Sequence, residues 1–185
     1  TQTGFGPATI GTGFTREIRS GHGLSEKRII KINGETGKSQ TDLGELTALL
    51  WLTPQMEGLF IDGSNVRRKF LDRFVFTFDP SHSGRITRYE NAMRQRAKLL
   101  KDGKHDDVWL SSLEKNMAET ALAIAAARHN FIRRLNAAFE KLAPVRKSFP
   151  ALTLSVTGYI EDILSEKTAL ECEDIFMAAL KENRR

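Results

Sequence analysis

The stretch from Asp106 to about Leu142 places the strongest constraint on the fold. Its apolar residues recur every three or four positions, the period of an α-helix. They are Leu113, Met117, Ala121, Ile124, Phe131, Leu135, Ala138 and Leu142. Asp106 or Asp107 can cap the start, Pro144 lies just past the end, and the helix would span on the order of 50 Å. Because the apolar residues form one stripe, we expect this helix to pack against a basic helix at 86–101 and a C-terminal helix.

Short alternating segments predict strands on both sides of the helical region. Residues 8–19 and 26–32 alternate roughly between apolar and polar side chains, and the Asn-Gly pair at 33–34 is a strong turn signal. We also expect a buried strand at 49–53 and a short strand at 152–158 that returns to the sheet. The predicted fold class is α+β and predominantly α, with a small part of a β-rich lobe followed by a lobe of long antiparallel helices.

Helical periodicity is also present outside the longest element. Residues 42–50 predict a short helix. Residues 64–78 carry Phe70, Phe74 and Phe78 on one helical face, although the alternation of the last aromatic residues would also fit an extended end. Residues 166–183 predict a final amphipathic helix. Its expected inward residues are Leu170, Ile175, Phe176, Ala179 and Leu180.

The composition is typical of a soluble globular protein. The chain has 185 residues, 40% hydrophobic and 28% charged, and no apolar run approaches the roughly 20 residues that cross a membrane. The N-terminus lacks the basic and apolar regions of a signal peptide. The single cysteine, Cys172, excludes an internal disulfide framework and indicates a reducing cytoplasm. The net charge of +5 favours a polyanionic partner.

Two segments resemble ligand-binding loops. Residues 79–90 carry Asp, Gly, Ile and Glu at positions 1, 6, 8 and 12 of an EF-hand calcium loop, but only two carboxylates remain to hold the ion. Residues 33–39 resemble a phosphate-binding P-loop, but Ile32 stands where the first glycine is needed, which favours a polar hairpin turn. The four histidines are scattered along the sequence, and no catalytic or metal-ligating constellation is apparent.

The segment from Pro54 to Asp72 separates the glycine-rich, β-branched part of the chain from the helical part. A Gly-Ser-Asn turn at 63–65 precedes a helix that we expect to start near Val66, capped by the serine or the asparagine, Ser64 or Asn65. An arginine pair, Arg67 and Arg68, then lies in the first turn, where the helix dipole disfavours cations. Solvated arginines are the general expectation, but a bound anion or an acidic partner explains the placement better.

A second basic cluster occupies residues 86–104. Its cations, Arg88, Arg94, Arg96, Lys98, Lys101 and Lys104, outnumber the acids Glu90 and Asp102. The expected apolar stripe consists of Met93, Ala97 and Leu100. The cluster is either a solvated helix face or a surface for contacts with a phosphate backbone. Arg128, Arg133 and Arg134 are expected to extend it along the polar side of the long helix.

Both basic segments carry motifs that resemble the RecF family of DNA repair and replication proteins. The first reads Pro-Gln at 54–55, Leu-Phe at 59–60, Gly-Ser at 63–64 and Arg-Arg-Lys-Phe-Leu-Asp at 67–72. The second reads Tyr-Glu-Asn-Ala-Met-Arg-Gln-Arg at 89–96, followed by Leu-Leu-Lys at 99–101. The sequence departs from the family pattern at Gln55, Ser64 and Ala97, where the family commonly has an acid, a proline and an asparagine. The resemblance covers most of the chain.

This resemblance implies an ABC/SMC-type ATPase with a sheet-based lobe that binds ATP and Mg²⁺ and a lobe of antiparallel helices. Residues 1–62 would belong to the end of the β-rich first half of the ATPase lobe, 63–148 to the helical lobe, and 149–185 to a strand and helix that return toward the first lobe. No Walker A, Walker B or signature motif is found. We therefore expect an internal fragment that is inactive alone and binds no cofactor, with Gln55 as a Q-loop candidate.

The resemblance also implies a function and partners. The full-length protein would be a weak DNA-dependent ATPase in the cytoplasm, acting in DNA replication, recombination, repair and the SOS response, and would help load recombinase at single-strand gaps. Expected partners are duplex or gapped DNA without sequence specificity, a RecR-like mediator protein, and a second copy in an ATP-dependent homodimer. The residues expected to contact DNA or a partner are Arg67, Arg68, Arg94, Arg96, Lys98 and Lys101, and no metal ligand is expected.

A function of a different class fits the periodicity equally well. The chain could be a non-enzymatic helical interaction module, with or without a calcium loop at 79–90. A calcium-induced change in stability would favour the module, whereas the motif at 54–72 favours the RecF-like protein.

Overall fold

Six helices and one small antiparallel sheet make up the described part of the chain. The computed structural model describes residues 7–18, 24–36, 40–48, 50–51, 53–103, 106–142, 144 and 150–184. The elements in chain order are β1 (Ile10–Ile18), β2 (Leu24–Ile32), β3 (Glu35–Thr36), α1 (Gln40–Leu46), a 3-10 helix (Pro54–Gly58), α2 (Ser64–Phe78), α3 (His82–Lys101), α4 (Asp107–Leu142), α5 (Tyr159–Glu166) and α6 (Ala169–Glu182). The predicted α+β, predominantly helical fold class is confirmed. Within these ranges, no helix combines the length and the apolar character needed to cross a membrane.

The sheet is built on a hairpin of the two long strands. β1 pairs antiparallel with β2 from Ile10 opposite Ile32 to Ile18 opposite Leu24, and β3 adds a short third strand beyond β2. Asn33 and Gly34 have φ angles of 53° and 85°, and two positive φ values in succession are what a type I′ turn requires. The hairpin turn predicted at 33–34 is therefore confirmed; residues 37–39 of the P-loop-like segment lie outside the described chain.

The strand predicted at 49–53 is wrong for its described members. Leu50, Trp51 and Thr53 belong to no strand, and the first two side chains are half-exposed. The Trp51 ring packs against the guanidinium of Arg73 in α2, 4.7 Å from its centroid, so the aromatic side chain is used in a local contact rather than in a sheet. Residues 49 and 52 lie outside the described chain.

Helix α2 is continuous from Ser64 to Phe78, so the alternative of an extended end is wrong. The predicted cap is also wrong, because Gly63 occupies the N-cap position and makes no side-chain hydrogen bond there. The expected aromatic face exists. Phe70 and Phe74 pack with ring centroids 4.7 Å apart. Phe74 and Phe78 lie 6.0 and 5.4 Å from the ring of Phe131 in α4, and thereby attach α2 to the long helix.

Helix α3 begins at His82, which excludes the EF-hand geometry at 79–90. Nine of those positions, 82–90, are helical and cannot wrap around an ion as a loop does. The leading carboxylate, Asp79, accepts hydrogen bonds from Ser81 and from the guanidinium of Arg85. The calcium-loop interpretation is therefore wrong, because a cationic side chain already occupies the carboxylate that would start the site.

The buried face of α3 is displaced by one position from the expected stripe. Ala92 and Leu99 are buried, whereas Met93 is 43% exposed and Ala97 is exposed. Arg96 faces inward with the buried pair, and its side chain is only 13% exposed. The inward guanidinium needs partners there, and the partners come from α4 and α6.

The long helix α4 is the axis of the helical region, as predicted. The Asp106 carboxylate caps it by accepting hydrogen bonds from the backbone N–H groups of Val108 and Trp109 at 3.1 and 3.0 Å. α4 contacts α2, α3, α5 and α6. Its buried residues Ala118 and Ala121 form the core with Phe176 of α6. Tyr89, Ile160, Met177 and Leu180 pack around this core.

The C-terminal region contains two helices where the sequence analysis expects one. The chain is extended at Lys167 between α5 and α6, and α6 starts with a capping box. The Thr168 hydroxyl accepts from the N–H of Glu171, whose carboxylate accepts from the N–H of Thr168 at 2.9 Å. Leu170, expected to face inward, is 70% exposed. Cys172 is fully buried, as expected of a core thiol.

The strand predicted at 152–158 is also wrong. Residues 150–157 belong to neither a helix nor a strand, and a side chain of α4 takes the place of a neighbouring strand. The Asn136 carboxamide donates to the carbonyl of Leu154 at 2.8 Å and accepts from its N–H at 3.0 Å. These two bonds hold the connection along the surface of α4.

A buried polar network joins four helices. Arg128 of α4 donates two parallel hydrogen bonds to the carboxylate of Asp72 in α2, at 2.8 and 2.9 Å, and a third to Glu161 of α5 at 3.0 Å. The Nε2 atom of His82, in α3, lies 2.9 Å from Asp72. Arg128 was expected on the polar side of α4. That prediction is wrong because the two carboxylates require an inward cation.

Glu161 reaches Arg128 because Gly158, three positions before it, has no side chain in the way. A Cβ atom on Gly158 would stand 2.5 Å from a Glu161 carboxylate oxygen, closer than real Cβ contacts allow. The carboxylate therefore folds over the glycine and turns toward α4. This close approach makes glycine the residue that fits immediately before α5.

A second network joins α3, α4 and the end of α6. Glu114 of α4 accepts from Arg96 of α3 at 2.9 Å and from Arg184, which follows α6, at 2.9 Å. Arg96 also donates to the carbonyl of Leu180. Because Arg96 and Glu114 are near the loop that connects their helices, their pairing shows that α3 and α4 run antiparallel. Arg184 additionally pairs with Asp107 at the start of α4.

We expect Arg128→Met to lower the free energy of unfolding by roughly 3 kcal/mol, because it leaves two buried carboxylates without their cation. Urea denaturation measures this change. Arg133→Ala is the matched control on the same helix, since Arg133 is exposed, and it should change stability by less than about 0.5 kcal/mol. Equal effects of the two substitutions would contradict the assignment of Arg128 as the bridge.

We expect stability to fall as the pH drops below about 4, the ordinary range of carboxyl pKa values. Burial raises the pKa of Asp72, but hydrogen bonds from His82 and Arg128 outweigh it and leave the pKa below its usual value. The pKa of Glu114 is lowered in the same way by Arg184 and Arg96, against its burial. A carboxyl group whose pKa is lower in the folded state than in the unfolded state stabilises the fold at pH values above its unfolded-state pKa. This contribution is lost as the pH falls through the folded-state pKa.

Asp72→Asn should therefore be less stable than the unsubstituted chain at pH 6, and the difference should shrink toward pH 3. Urea denaturation at a series of pH values measures it. A difference that stays constant across this range would show that ionisation of Asp72 does not contribute to stability.

Candidate nucleic-acid interface

Exposed cations extend over α2 and α3. Arg67, Arg68 and Lys69 follow one another in the first turns of α2, and all three are exposed. On α3 the exposed cations are Arg88, Arg94, Lys98 and Lys101, with Glu90 as the exposed acid among them. The predicted site residues other than Arg96 are thus solvent-accessible. We call the set Arg67, Arg68, Lys69, Arg94, Lys98 and Lys101 the basic surface.

Helices α2 and α3 contact each other, and His82 at the start of α3 lies 2.9 Å from Asp72 of α2. Burial raises the pKa of the Tyr89 hydroxyl in α3, and the nearby charges of Arg68 and Arg128 oppose that shift. Arg68 is therefore near enough to act electrostatically on a residue that lies five positions before Arg94. The helices that carry the two arginine-containing motifs are therefore neighbours in the folded chain.

Two arginines of the basic surface, Arg67 and Arg94, make local contacts that leave them exposed. Arg67 donates a hydrogen bond to the carbonyl of Asp62, in the turn before α2. Arg94 donates to the carbonyl of Glu90 at 3.2 Å and to the side chain of Asn91 at 2.7 Å, one turn back along α3. A guanidinium has five N–H donors, so each retains donors for an external acceptor such as a phosphate oxygen.

The lysines have a simple structural explanation as well. Lys98 and Lys101 are in the last turn of α3, where positive side chains interact favourably with the helix dipole. Their exposure also allows them to contact a phosphate backbone as mobile point charges. Both properties are compatible, because the dipole interaction does not bury the ammonium groups.

Arg96 differs from the other predicted site residues. Its side chain is 13% exposed, and its guanidinium donates to Glu114 and to the carbonyl of Leu180. It is thus a residue that holds α3 against α4 and α6. The sequence signal for this role is the position of Arg96 four residues after Ala92 and three before Leu99, which places it on the buried face.

Two apolar side chains beside the basic surface are unusually exposed. Phe60 is 80% exposed and Ile61 is 92% exposed, in the turn between the 3-10 helix and α2. The sequence analysis includes Phe60 in the motif but assigns it no role. Lys69 is likewise absent from the predicted site, although it continues the run of exposed cations from Arg68.

No metal site is found among the described residues. In the ranges that the structure covers, no three or more His, Cys, Asp or Glu side chains are grouped as metal ligands. Gln55, the Q-loop candidate, is in the 3-10 helix, and its side chain lies outside the described part of the structure. Its assignment stays a prediction. Of the histidines, His22 and His105 lie outside the described residues, and His82 contacts the carboxylate of Asp72.

Comparison with curated proteins relates nearly the whole chain to one group. The chain is 42% identical over 179 residues to the DNA replication and repair protein RecF of Mesorhizobium japonicum, covering 97% of this chain and 46% of that protein. It is 39% identical over 179 residues to the protein of the same name from Agrobacterium fabrum, with the same coverage. It is 39% identical over 180 residues to that of Brucella suis, covering 45% of that protein. The chain thus spans about half the length of the curated relatives it matches.

Comparison with solved structures agrees with this relationship. The fold is similar to that of the recombination mediator protein RecF-ATPrS in the RecFOR pathway, with a TM-score of 0.71 at 20% sequence identity. The match covers 85% of this chain and 43% of that chain. No protein-family model matches the sequence. Over 97% of its length, therefore, the chain is similar to proteins of the RecF family, and the resemblance predicted from its motifs is confirmed.

Proposed function

We propose that the basic surface binds the phosphate backbone of DNA without sequence specificity. The observation that carries the proposal is that the two arginine-containing motifs lie on helices that contact each other, while their cations remain exposed. Phosphate contacts from arginine and lysine side chains position a protein on DNA without reading its sequence. Arg96 is left out of this surface, because Glu114 and the Leu180 carbonyl already bind its guanidinium.

In a full-length protein of this type, we propose that the DNA-binding surface works together with an ATPase lobe. The proposed assembly binds ATP with Mg²⁺, forms an ATP-dependent homodimer, and cooperates with a RecR-like mediator to load recombinase at single-strand gaps in the cytoplasm. Roles in recombination and in the SOS response belong to the same proposal. The similarity to the RecF relatives and their shared name support it. We propose residues 1–62 and 149–185 as parts of, or returns to, the ATPase lobe, and 63–148 as the helical lobe.

Arg67→Ala/Arg68→Ala and Arg94→Ala should each weaken duplex DNA binding. Each lost phosphate contact lowers the slope of log affinity against log salt by about one, so we expect roughly two for the double variant and one for the single variant. Fluorescence anisotropy of a labelled duplex at several salt concentrations measures both quantities. Binding that does not weaken with salt would exclude phosphate contacts as its source.

Two further variants separate loss of binding from loss of fold. Lys115→Ala removes an exposed cation on α4 that lies near Glu119, and it should leave DNA affinity unchanged. Arg96→Ala should lower the unfolding temperature, because it leaves the buried Glu114 with one cation fewer. A stable Arg96→Ala protein with strongly reduced DNA binding would place Arg96 in the interface instead.

We expect the 185-residue chain alone to show no ATP turnover, because the resemblance implies an ATP site built from motifs that this sequence lacks. A phosphate-release assay at millimolar ATP and Mg²⁺ measures turnover. A rate above that of the buffer, retained after a second purification step and abolished by Gln55→Ala, would overturn this expectation.

The second candidate function is a non-enzymatic interaction module that does not bind calcium. Its calcium-dependent version is excluded by the start of α3 at His82. A protein-binding role for the basic surface would leave duplex DNA binding absent and would require an acidic partner surface.

A further inference from the structure

The turn before α2 presents apolar side chains to solvent in a fixed position. Phe60 and Ile61, 80% and 92% exposed, are followed by Val66 at 46% exposed. A single exposed apolar residue is ordinary. Two adjacent large apolar side chains that are both mostly exposed form a patch, and such a patch indicates a binding site. No described residue covers the Phe60 ring.

Hydrogen bonds hold this turn in place. The N–H groups of Ile61 and Asp62 both donate to the carbonyl of Gly58, at 2.9 and 2.8 Å. The Asp62 carbonyl in turn accepts from the guanidinium of Arg67. The turn that carries Phe60 is thereby tied to the first arginine of the basic surface, and the aromatic ring and the cations are presented together.

The charged side chains near Phe60 favour one kind of partner. Arg67, Arg68 and Lys69 follow the turn and are exposed, and the exposed acids of the same stretch are Glu57 and Asp62. An apolar protein surface that covered Phe60 would also approach three consecutive cations, and removing them from water is costly unless each is paired. Nucleic acid can contact both the aromatic ring and the cations, because each nucleotide has an apolar base face and a phosphate.

We infer that Phe60 stacks on an unpaired base of DNA while Arg67, Arg68 and Lys69 hold the adjoining phosphates. Bases in a duplex are already stacked, and inserting a ring between them costs unstacking energy. An unpaired base offers its face freely, and every base has such a face, so the contact is independent of sequence. Ile61 extends the apolar surface next to the ring. This inference rests on the proposed DNA-binding function and deepens it by naming the part of the DNA that is recognised.

The test compares the same strand with and without bases. The 185-residue chain and its Phe60→Ala variant are titrated against a labelled single-stranded oligonucleotide, and against an oligonucleotide of equal length whose central nucleotides are abasic. Phe60→Ala should weaken binding to the intact strand by about five-fold to a hundred-fold, the range for one aromatic–base stack. The two proteins should bind the abasic strand alike, since the phosphates and the cations are unchanged. Phe60→Trp should retain the affinity for the intact strand, and Phe60→Leu should lose it.

Val108→Ala is the matched control, because Val108 is 83% exposed at the start of α4, away from the turn in sequence, and it should have no effect. The unfolding temperature should not change in any of these variants, since the replaced side chains are mostly exposed. Equal loss on the intact and abasic strands, or no loss on either, overturns the stacking contact while leaving the phosphate-binding function standing. Failure of the unsubstituted chain to bind any strand overturns both, and binding of an acidic protein through Phe60 would then be the alternative.

Discussion

The helical region depends on one guanidinium. Arg128 offers parallel N–H donors to Asp72 and a third to Glu161, while His82 contacts the same aspartate, so α2, α3, α4 and α5 each contribute one side chain. A planar fork of donors fixes the direction of its partners more strictly than an ammonium group would. Apolar packing of Ala118, Ala121 and Phe176 supplies burial, but it is the network that specifies how the four helices are oriented.

The two polar networks also divide the cations of the chain into two kinds. Arg96, Arg128 and Arg184 are paired with partly or fully buried carboxylates, and their charge is neutralised within the fold. The cations of the basic surface are exposed instead. Only exposed cations can contact a polyanion. The positive charge available to such a partner therefore comes from fewer side chains than a count along the sequence suggests.

Several patterns with local causes are predicted correctly, whereas the pairings between distant residues are not predicted. The Asn33-Gly34 turn, the Asp106 cap and the length of α4 follow from neighbouring residues. Arg128 and Asp72 are 56 positions apart, so their pairing has no local signal, and an arginine within an apolar period was assigned to the polar side by default. The break before α6 was predictable, since Thr168 and Glu171 have the spacing of a capping box. The alternation at 152–158 predicts a strand, and it carries no signal that the Asn136 carboxamide would be the partner of Leu154.

That asparagine has a consequence for chain length. Asn136 fixes Leu154, and Arg128 fixes Glu161, so the connection runs back along α4 between two anchors eight residues apart on the helix, about 12 Å. The connection covers this distance between Leu154 and Glu161, seven positions apart in the sequence. An insertion or deletion between the anchors would detach one of them.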